Sequence, residues 1–372
     1  IEFFKHLNTV VQGRNHGALV IAEESTAWPK VTEHPEQDGL GFTFKWNMGW
    51  MHDFLEYMKL DPYFRKYNHH RMTFGLTYFT SENYILVLSH DEVVHLKCSM
   101  INKMPGLGRD KFSNLKAGYT FMMGHPGKKL LFMGQDFGQL HEWDEKVSLD
   151  WYLTDEDDHR ELQNYVKDLL HLYKKYPSLY RLDNDWNGFQ WINANDGDRS
   201  IFSFIRRDET GKKNLMFIIN FTPVERPDYR VGVPKRGRYT LLLDSHGAYK
   251  AAEAPCFSSS KSECDGQPYY NVWKESIIMA KQLISSSETK SVYRDGSTAI
   301  KEFCEGFPKA EVLNEALCNA RVETIEALNV PKVLGVSVID GKWSITREFV
   351  EGKTLQQLME ENPDKTGEYL EQ

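Results

Sequence analysis

The sequence predicts an α/β layer of parallel strands, then an all-β domain, then a small α+β segment. Three observations predict it. Short apolar runs at residues 18–22, 41–44, 84–88 and 129–133 each end in polar or charged residues, as expected of strands buried on both faces. Helix-period stretches separate them, the alternation that builds βαβ units. From about residue 186 the texture changes to short alternating runs punctuated by Asn-Asp-Gly, Glu-Thr-Gly and Arg-Gly, which reads as an antiparallel sandwich or barrel.

In chain order, residues 1–12 carry Phe3, Phe4, Leu7, Val10 and Val11 on one helical face, and the first strand runs into Glu23-Glu24-Ser25. Trp28-Pro29 opens a loop to Gly39. The second strand runs into Lys45-Trp46-Asn47, and the spacing of Trp50, Met51, Phe54, Leu55 and Met58 predicts a helix over 48–60. Asp61-Pro62 stops it, because a residue before proline avoids the helical region. A helical stretch at 73–78 leads to the central run, Tyr-Ile-Leu-Val-Leu, which ends abruptly in Ser89-His90-Asp91-Glu92. A helix over 111–123 and the Pro126-Gly127 turn precede the fourth strand, which runs into Gly134-Gln135-Asp136. A Trp- and acid-rich loop at 138–153 and a helix over 155–175, closed by Pro177, complete this part. Four strands delivering polar residues at the same end look like half of a (β/α)8 barrel, which keeps its chemistry at the C-terminal strand ends.

The expected domains are therefore a barrel half at 1–180, an all-β domain at 181–282, a linker at 283–289 carrying Ser285-Ser286-Ser287, and an α+β segment at 290–372. In that last segment, 291–293 and 297–301 read as strands around Asp295-Gly296 and 310–328 as a helix. A hairpin of 333–338 and 343–349 turns about Asp340-Gly341. A first residue other than Met and a helical stretch at 355–372 without a closing element make the sequence read as an excerpt of a longer protein.

A net charge of −8 over 372 residues argues against nucleic acid or an anionic membrane as the main partner. No apolar run approaches 18 residues, so no membrane span is expected. The five cysteines (Cys98, Cys256, Cys264, Cys304 and Cys318) are odd in number and scattered. They suit a reducing cytoplasm and lack metal-ligand spacing.

Glu23 directly follows a buried strand and is a candidate general acid, one of two carboxyls about 5–5.5 Å apart in retaining glycosyl transfer; the bland alternative is a solvated loop acid. His90-Asp91 ends another strand and suits an oxocarbenium-like transition state, against a capping aspartate beside a core histidine. Trp28, Trp46, Trp50, Trp143 and Trp151 suit stacking on sugar rings, or the core. The combination on successive strands carries the signal.

Ile21-Ala22-Glu23-Glu24-Ser25-Thr26, Gly39-Leu40-Gly41-Phe42 with the run from Lys45 to Asp53, Leu88-Ser89-His90-Asp91-Glu92-Val93-Val94-His95, and the run from Gly127 to Gly134 resemble the 1,4-alpha-glucan branching enzymes of the alpha-amylase superfamily. The resemblance covers residues 1–280, through Ser148-Leu149-Asp150-Trp151 and Asn220-Phe221-Thr222-Pro223. It implies the second half of a TIM barrel followed by a β-sandwich domain. By position it makes Glu23 the general acid/base, Asp91 the transition-state-stabilising aspartate, and His90, Lys45, Trp46 and Asn47 substrate-binding residues. It implies transfer of an α-1,4-glucan segment (glycogen, amylose or starch) to a glucose 6-hydroxyl, with neither metal nor organic cofactor. The family's nucleophilic aspartate has no counterpart in this chain, so the excerpt is expected to be inactive by itself. Leu96 stands where the family usually has Gly, and Asp136 where Glu is usual; Leu96 is expected to crowd its loop. An amylase-like hydrolase and a non-catalytic glucan-binding module are the alternatives.

Residues 290–372 resemble the N-terminal lobe of aminoglycoside-phosphotransferase-like kinases. Thr298-Ala299-Ile300-Lys301 fits the lysine strand, Glu315 its helix partner, and Glu348-Phe349-Val350-Glu351-Gly352 the hinge. The resemblance implies ATP contact in a completed domain, although Arg294-Asp295-Gly296 matches the glycine-rich loop poorly. The alternative is an edge strand with an exposed lysine.

Overall fold

The computed structural model describes residues 1–15, 17–226, 229–234, 238–245, 256–258, 260–261, 268–272, 277–281, 283–286, 289–295, 298–322, 331–339 and 342–349. They belong to two compact units, Ile1–Lys281 and Gln282–Gln372. The boundary expected near residue 180 is thus no break, since barrel half and β domain form one unit.

The first unit opens with helix α1 (Glu2–Arg14) and a parallel sheet of β1 (Ile21–Ala22), β2 (Phe44–Trp46), β3 (Tyr84–Leu88) and β4 (Lys128–Leu131), hydrogen-bonded in that order. Between β2 and β3 run α2 (Met48–Lys59), α3 (Pro62–Arg65) and α4 (His69–Phe74). Helix α5 (Arg109–Gly124) precedes β4 and α6 (Asp157–Lys175) follows it. Local chemistry sets the boundaries. Asn47 caps α2 by accepting from Trp50 N at 2.9 Å. Asp61 caps α3 with proline in its first turn, where the missing N–H costs nothing. The second strand begins three residues later than the apolar run suggests, because Gly41 at φ +76° is left-handed rather than extended. Leu86, Val87 and Leu88 are fully buried, so the central strand is covered on both faces.

The β layer holds β5 (Phe189–Asn193), β6 (Ile201–Arg206), β7 (Leu215–Asn220), β8 (Tyr229–Gly232), β9 (Arg238–Asp244), β10 (Cys256–Ser258), β11 (Ser260–Lys261), β12 (Pro268–Val272) and β13 (Ile277–Lys281). One sheet runs β10-β9-β13-β7-β6-β5 and a second β11-β12-β8. The run Leu-Met-Phe-Ile-Ile in β7 is apolar at every position because both faces are covered. Met216 and Ile218 join Val231 and Tyr239 in the core between the two sheets. Leu215, Phe217 and Ile219 join Phe54, Met58 and Phe121 of α2 and α5 in the main core. Gly124 ends α5 against this sheet, where an added Cβ would meet Phe204 at 2.7 Å. Two buried arginines fasten the layers. Arg65 donates to Met58 O (2.9 Å), Phe221 O (2.7 Å) and Asn114 Oδ1 (2.7 Å). Arg206 donates to Gly124 O (3.0 Å), Gly188 O (3.1 Å) and Asp183 (2.9 Å).

The second unit is an antiparallel sheet in the order β14-β15-β16-β18-β17 with a helix before its last hairpin. Its elements are β14 (Leu283–Ser286), β15 (Lys290–Asp295), β16 (Thr298–Phe303), α7 (Lys309–Val322), β17 (Val333–Ile339) and β18 (Lys342–Glu348). Phe303, Val312, Ala316 and Ile345 form its core. The expected linker at 283–289 is corrected here: Leu283–Ser286 is a strand paired with β15, since Leu-Ile-Ser-Ser suits an edge strand as well as a spacer. The expected glycine-rich loop at Gly296, the helix end at 323–328 and the hinge at 350–352 lie outside the described residues.

Candidate active site at the strand ends

Strands β1, β2 and β3 are adjacent and parallel, so whatever follows their C-termini emerges at one edge of the sheet. Glu23 follows β1 directly and is exposed. Asp91 follows β3 by three residues in a 3₁₀ turn, His90–Val93. A capping box fixes that turn. Ser89 Oγ accepts from Asp91 N at 3.3 Å, and the buried Glu92 carboxylate accepts from Ser89 N at 2.6 Å and Ser89 Oγ at 2.8 Å. The turn presents His90 and Asp91 half-exposed, with Nε2 3.3 Å from Oδ1. The edge therefore offers an exposed carboxyl and a carboxyl–imidazole pair, enough for proton transfer and for stabilising positive charge.

The second strand contributes differently. Lys45 lies within β2, is buried, and donates to Glu24 at 2.8 Å, Thr26 O at 3.0 Å and Trp28 O at 3.5 Å. Its ammonium braces the loop after β1. Burial pushes the Glu24 carboxyl up, but hydrogen bonds from Lys45 and Thr26 outweigh it and hold the group below the usual range. Asn47 is buried as the α2 cap and also accepts from Tyr78 Oη at 3.2 Å. Trp46 is half-buried against the main core. Among the flagged tryptophans, Trp28 and Trp151 are exposed and Trp50 is core.

One set of contacts has no sequence signal. His95, Leu96 and Cys98 all have positive φ (56°, 63° and 66°). Glu142 accepts from Leu96 N at 3.0 Å and Cys98 N at 2.6 Å, while Lys103 donates to Cys98 O at 2.9 Å. Lys97 reaches back to Asp91 O at 2.8 Å. The backbone N–H of Trp143 donates to Val93 O at 3.0 Å, and the Trp143 ring stands edge-on to His90 at 6.1 Å. The loop at 138–153 thus holds the His90–Asp91 turn in place. Leu96 does not crowd this loop as expected: its side chain is 96% exposed. Asp136 accepts a long 3.4 Å hydrogen bond from Gln163.

The family of alpha-amylase C-terminal all-beta domains matches residues 191–274. A 1,4-alpha-glucan branching enzyme of Butyrivibrio fibrisolvens is 60% identical over 273 residues, covering 72% of this chain and 43% of that protein. Over most of its length the chain is similar in sequence to branching enzymes. The branching enzyme of Roseobacter denitrificans is 52% identical over 246 residues, 66% of this chain and 34% of its own length. The chain therefore spans less than half the length of these branching enzymes. An alpha-amylase structure from H. orenii superposes with a TM-score of 0.50 at 14% identity, covering 75% of this chain and 56% of that one. The structure of AmyP with maltose does so with a TM-score of 0.53 at 12% identity, over 75% and 61%. At such identities the likeness to the amylases is one of fold.

In the second unit, Lys301 on β16 pairs with Glu315 on α7, and Arg347 of β18 donates to the same carboxylate at 3.0 Å. Burial draws the Lys301 ammonium below its usual range, against the opposing pull of Glu315. Among the described residues no cluster of His, Cys, Asp and Glu is arranged to hold a metal ion, and no helix is long and apolar enough to cross a membrane.

Proposed function

We propose that the first unit carries the acid–base part of a branching-enzyme active site. The observation that carries this reading is the emergence of Glu23 and Asp91 at one edge of a parallel sheet, within sequence 60% identical to a branching enzyme. Glu23 protonates the leaving oxygen as an α-1,4 glucosidic bond breaks, then takes the proton of the incoming glucose 6-hydroxyl. Asp91 stabilises the oxocarbenium-like centre, and His90 beside it donates to a glucose hydroxyl. Lys45 and Trp46 of β2 and Asn47 at the cap of α2 support the substrate floor. The carboxylate that holds the glucan covalently comes from family sequence this chain does not span, since retaining transfer needs a second carboxyl. The substrate is an α-1,4-glucan, and the exposed thiols of Cys98 and Cys304 suit a reducing cytoplasm.

The test is Glu23→Gln in a complete branching enzyme containing this sequence. Branching, read as loss of iodine staining of amylose and formation of α-1,6 linkages, should fall by about 10²–10⁴-fold while glucan binding persists. Near-normal branching removes Glu23 from the role, and products without α-1,6 linkages favour a hydrolase.

For the second unit we propose a kinase-like N-lobe. Supporting it are the Lys301–Glu315 pair and the order of lysine strand, helix and hairpin. In a completed domain Lys301 would contact ATP phosphates, and Lys301→Ala should abolish nucleotide binding by calorimetry. Unchanged binding would leave the pair a structural tie.

A further inference from the structure

Glu23 opens a segment with a single anchor. Strand β1 is two residues long and pairs with β2 through Ile21–Phe44 and Ala22–Lys45. Beyond it, Glu23 and residues 25–30 are exposed. Glu24 accepts from Thr26 N at 2.8 Å and Thr26 Oγ1 from Trp28 N at 3.2 Å, bonds that curl the segment without fastening it to the sheet. Among the described residues, every hydrogen bond from residues 23–28 to another element ends on Lys45 Nζ. An ammonium has three N–H donors and no acceptor. Lys45 spends them on Glu24 Oε2 at 2.8 Å, Thr26 O at 3.0 Å and Trp28 O at 3.5 Å. Its side chain is 6% exposed, so it keeps no donor for a sugar hydroxyl.

We propose, resting on the branching-enzyme reading above, that Lys45 and Glu24 are positioning residues for the Glu23 acid/base, and that Lys45 does not touch the glucan. The pair gives the two adjacent carboxyls different tasks. Glu23 is free to exchange a proton with substrate, whereas Glu24 is tied to the ammonium and is no second acid. A buried cation is tolerated only where oxygens satisfy it, and here all three come from the loop that Glu23 begins. Proton transfer needs the carboxyl held within about 0.5 Å of its productive place, and a misplacement of about 1 Å can cost about 10²-fold in rate. A two-residue strand running into an exposed loop does not supply that precision. A tripod rooted in the neighbouring buried strand does.

The experiment uses a complete branching enzyme containing this sequence. Lys45→Met keeps the length of the stem and removes the ammonium. Its kcat should fall by about 10²-fold while KM for amylose stays within about twofold. Glu24→Gln keeps one oxygen for the ammonium and should lose less. The double variant Lys45→Met, Glu24→Gln removes both charges, so it should fold even if Lys45→Met, which leaves Glu24 unpaired, does not. Its loss should match the larger single loss and not the product of the two, because the residues act as one unit. A KM raised more than about threefold would make Lys45 a substrate contact and overturn the proposal. An unchanged kcat, losses that multiply, or a double variant that does not fold would each overturn it too. Glu23→Gln, assayed beside them, keeps the two claims apart. If it branches normally, the acid–base reading falls and the brace with it; if it is inactive while Lys45→Met branches normally, only the brace falls.

Discussion

At the scale of residues, the loop after the central strand shows what a sequence hides. Leu96 reads as a bulky intruder where the family has glycine, yet its side chain is in solvent and its φ of +63° is the real departure. An L-residue in that region costs about 1–2 kcal/mol, partly offset because glycine frees the unfolded chain. Leu96→Gly should therefore stabilise the chain by about 1 kcal/mol, read as a shift in urea midpoint; a lower midpoint would show that the side chain packs. Glu142 is a second hidden residue. Its carboxylate takes two backbone N–H groups at 3.0 and 2.6 Å, but a Glu in an acid-rich loop looks ordinary. Glu142→Ala should speed hydrogen exchange at Leu96 and Cys98 by at least about tenfold, since a charge-assisted hydrogen bond is worth about 1.5–3 kcal/mol. Glu142→Gln should fall between, and unchanged exchange would release Glu142 from holding the turn. The placing of Glu23 and Asp91 at strand ends, by contrast, was legible, because the apolar runs of β1 and β3 stop one and three residues before them.

Elements were legible where their apolar pattern had one reading. The parallel strands, α2, α5, α6 and strands β5, β6, β7, β9 and β13 stand close to where their periodicity puts them. Strands β8, β10, β11 and β12 were missed, being only two to five residues long with no alternating run to announce them. The turn between α5 and β4 carries a titratable group no pattern announces. His125 is buried, its Nδ1 2.8 Å from Pro126 O, and burial pushes its imidazole down to about 3. Between about pH 6.5 and 3 the unfolded chain binds a proton that the folded chain refuses, so stability should fall with pH across that window. The slope approaches about 1.4 kcal/mol per pH unit. Asp183 adds a loss at lower pH. Burial raises its carboxyl, but Lys129, Arg206 and Lys128 outweigh this and hold it at about 2. Its contribution is present above pH 4 and lost as pH falls towards 2. Melting from pH 7 to 4 checks the first part: His125→Gln should flatten the profile, and a profile that keeps its slope would assign it elsewhere.

At the scale of the whole molecule, the order of layers was legible but their degree of union was not. A change of texture near residue 186 reads as a domain border, whereas Phe202, Phe204, Phe217 and Phe221 of the β layer share one core with Phe54, Tyr57 and Phe121. Period-2 strands look alike whether their second face meets solvent, a second sheet or a helix, so only the assembled structure reveals the union. Arg65 tests it, because its guanidinium is fully buried and burial lowers it to about 10. Arg65→Met leaves Met58 O and Phe221 O without their donor, and should cost about 3 kcal/mol; a loss within about 0.5 kcal/mol would mean the layers hold by apolar contact alone. The shared core also governs how such genes can recombine. A crossover at the visible change of texture would join a helical layer from one parent to a sheet from another, mismatching interlocked aromatic rings on both sides. Viable chimaeras should instead exchange residues 48–281 as a block, so inheritance follows the packing and not the border a reader of the sequence would draw.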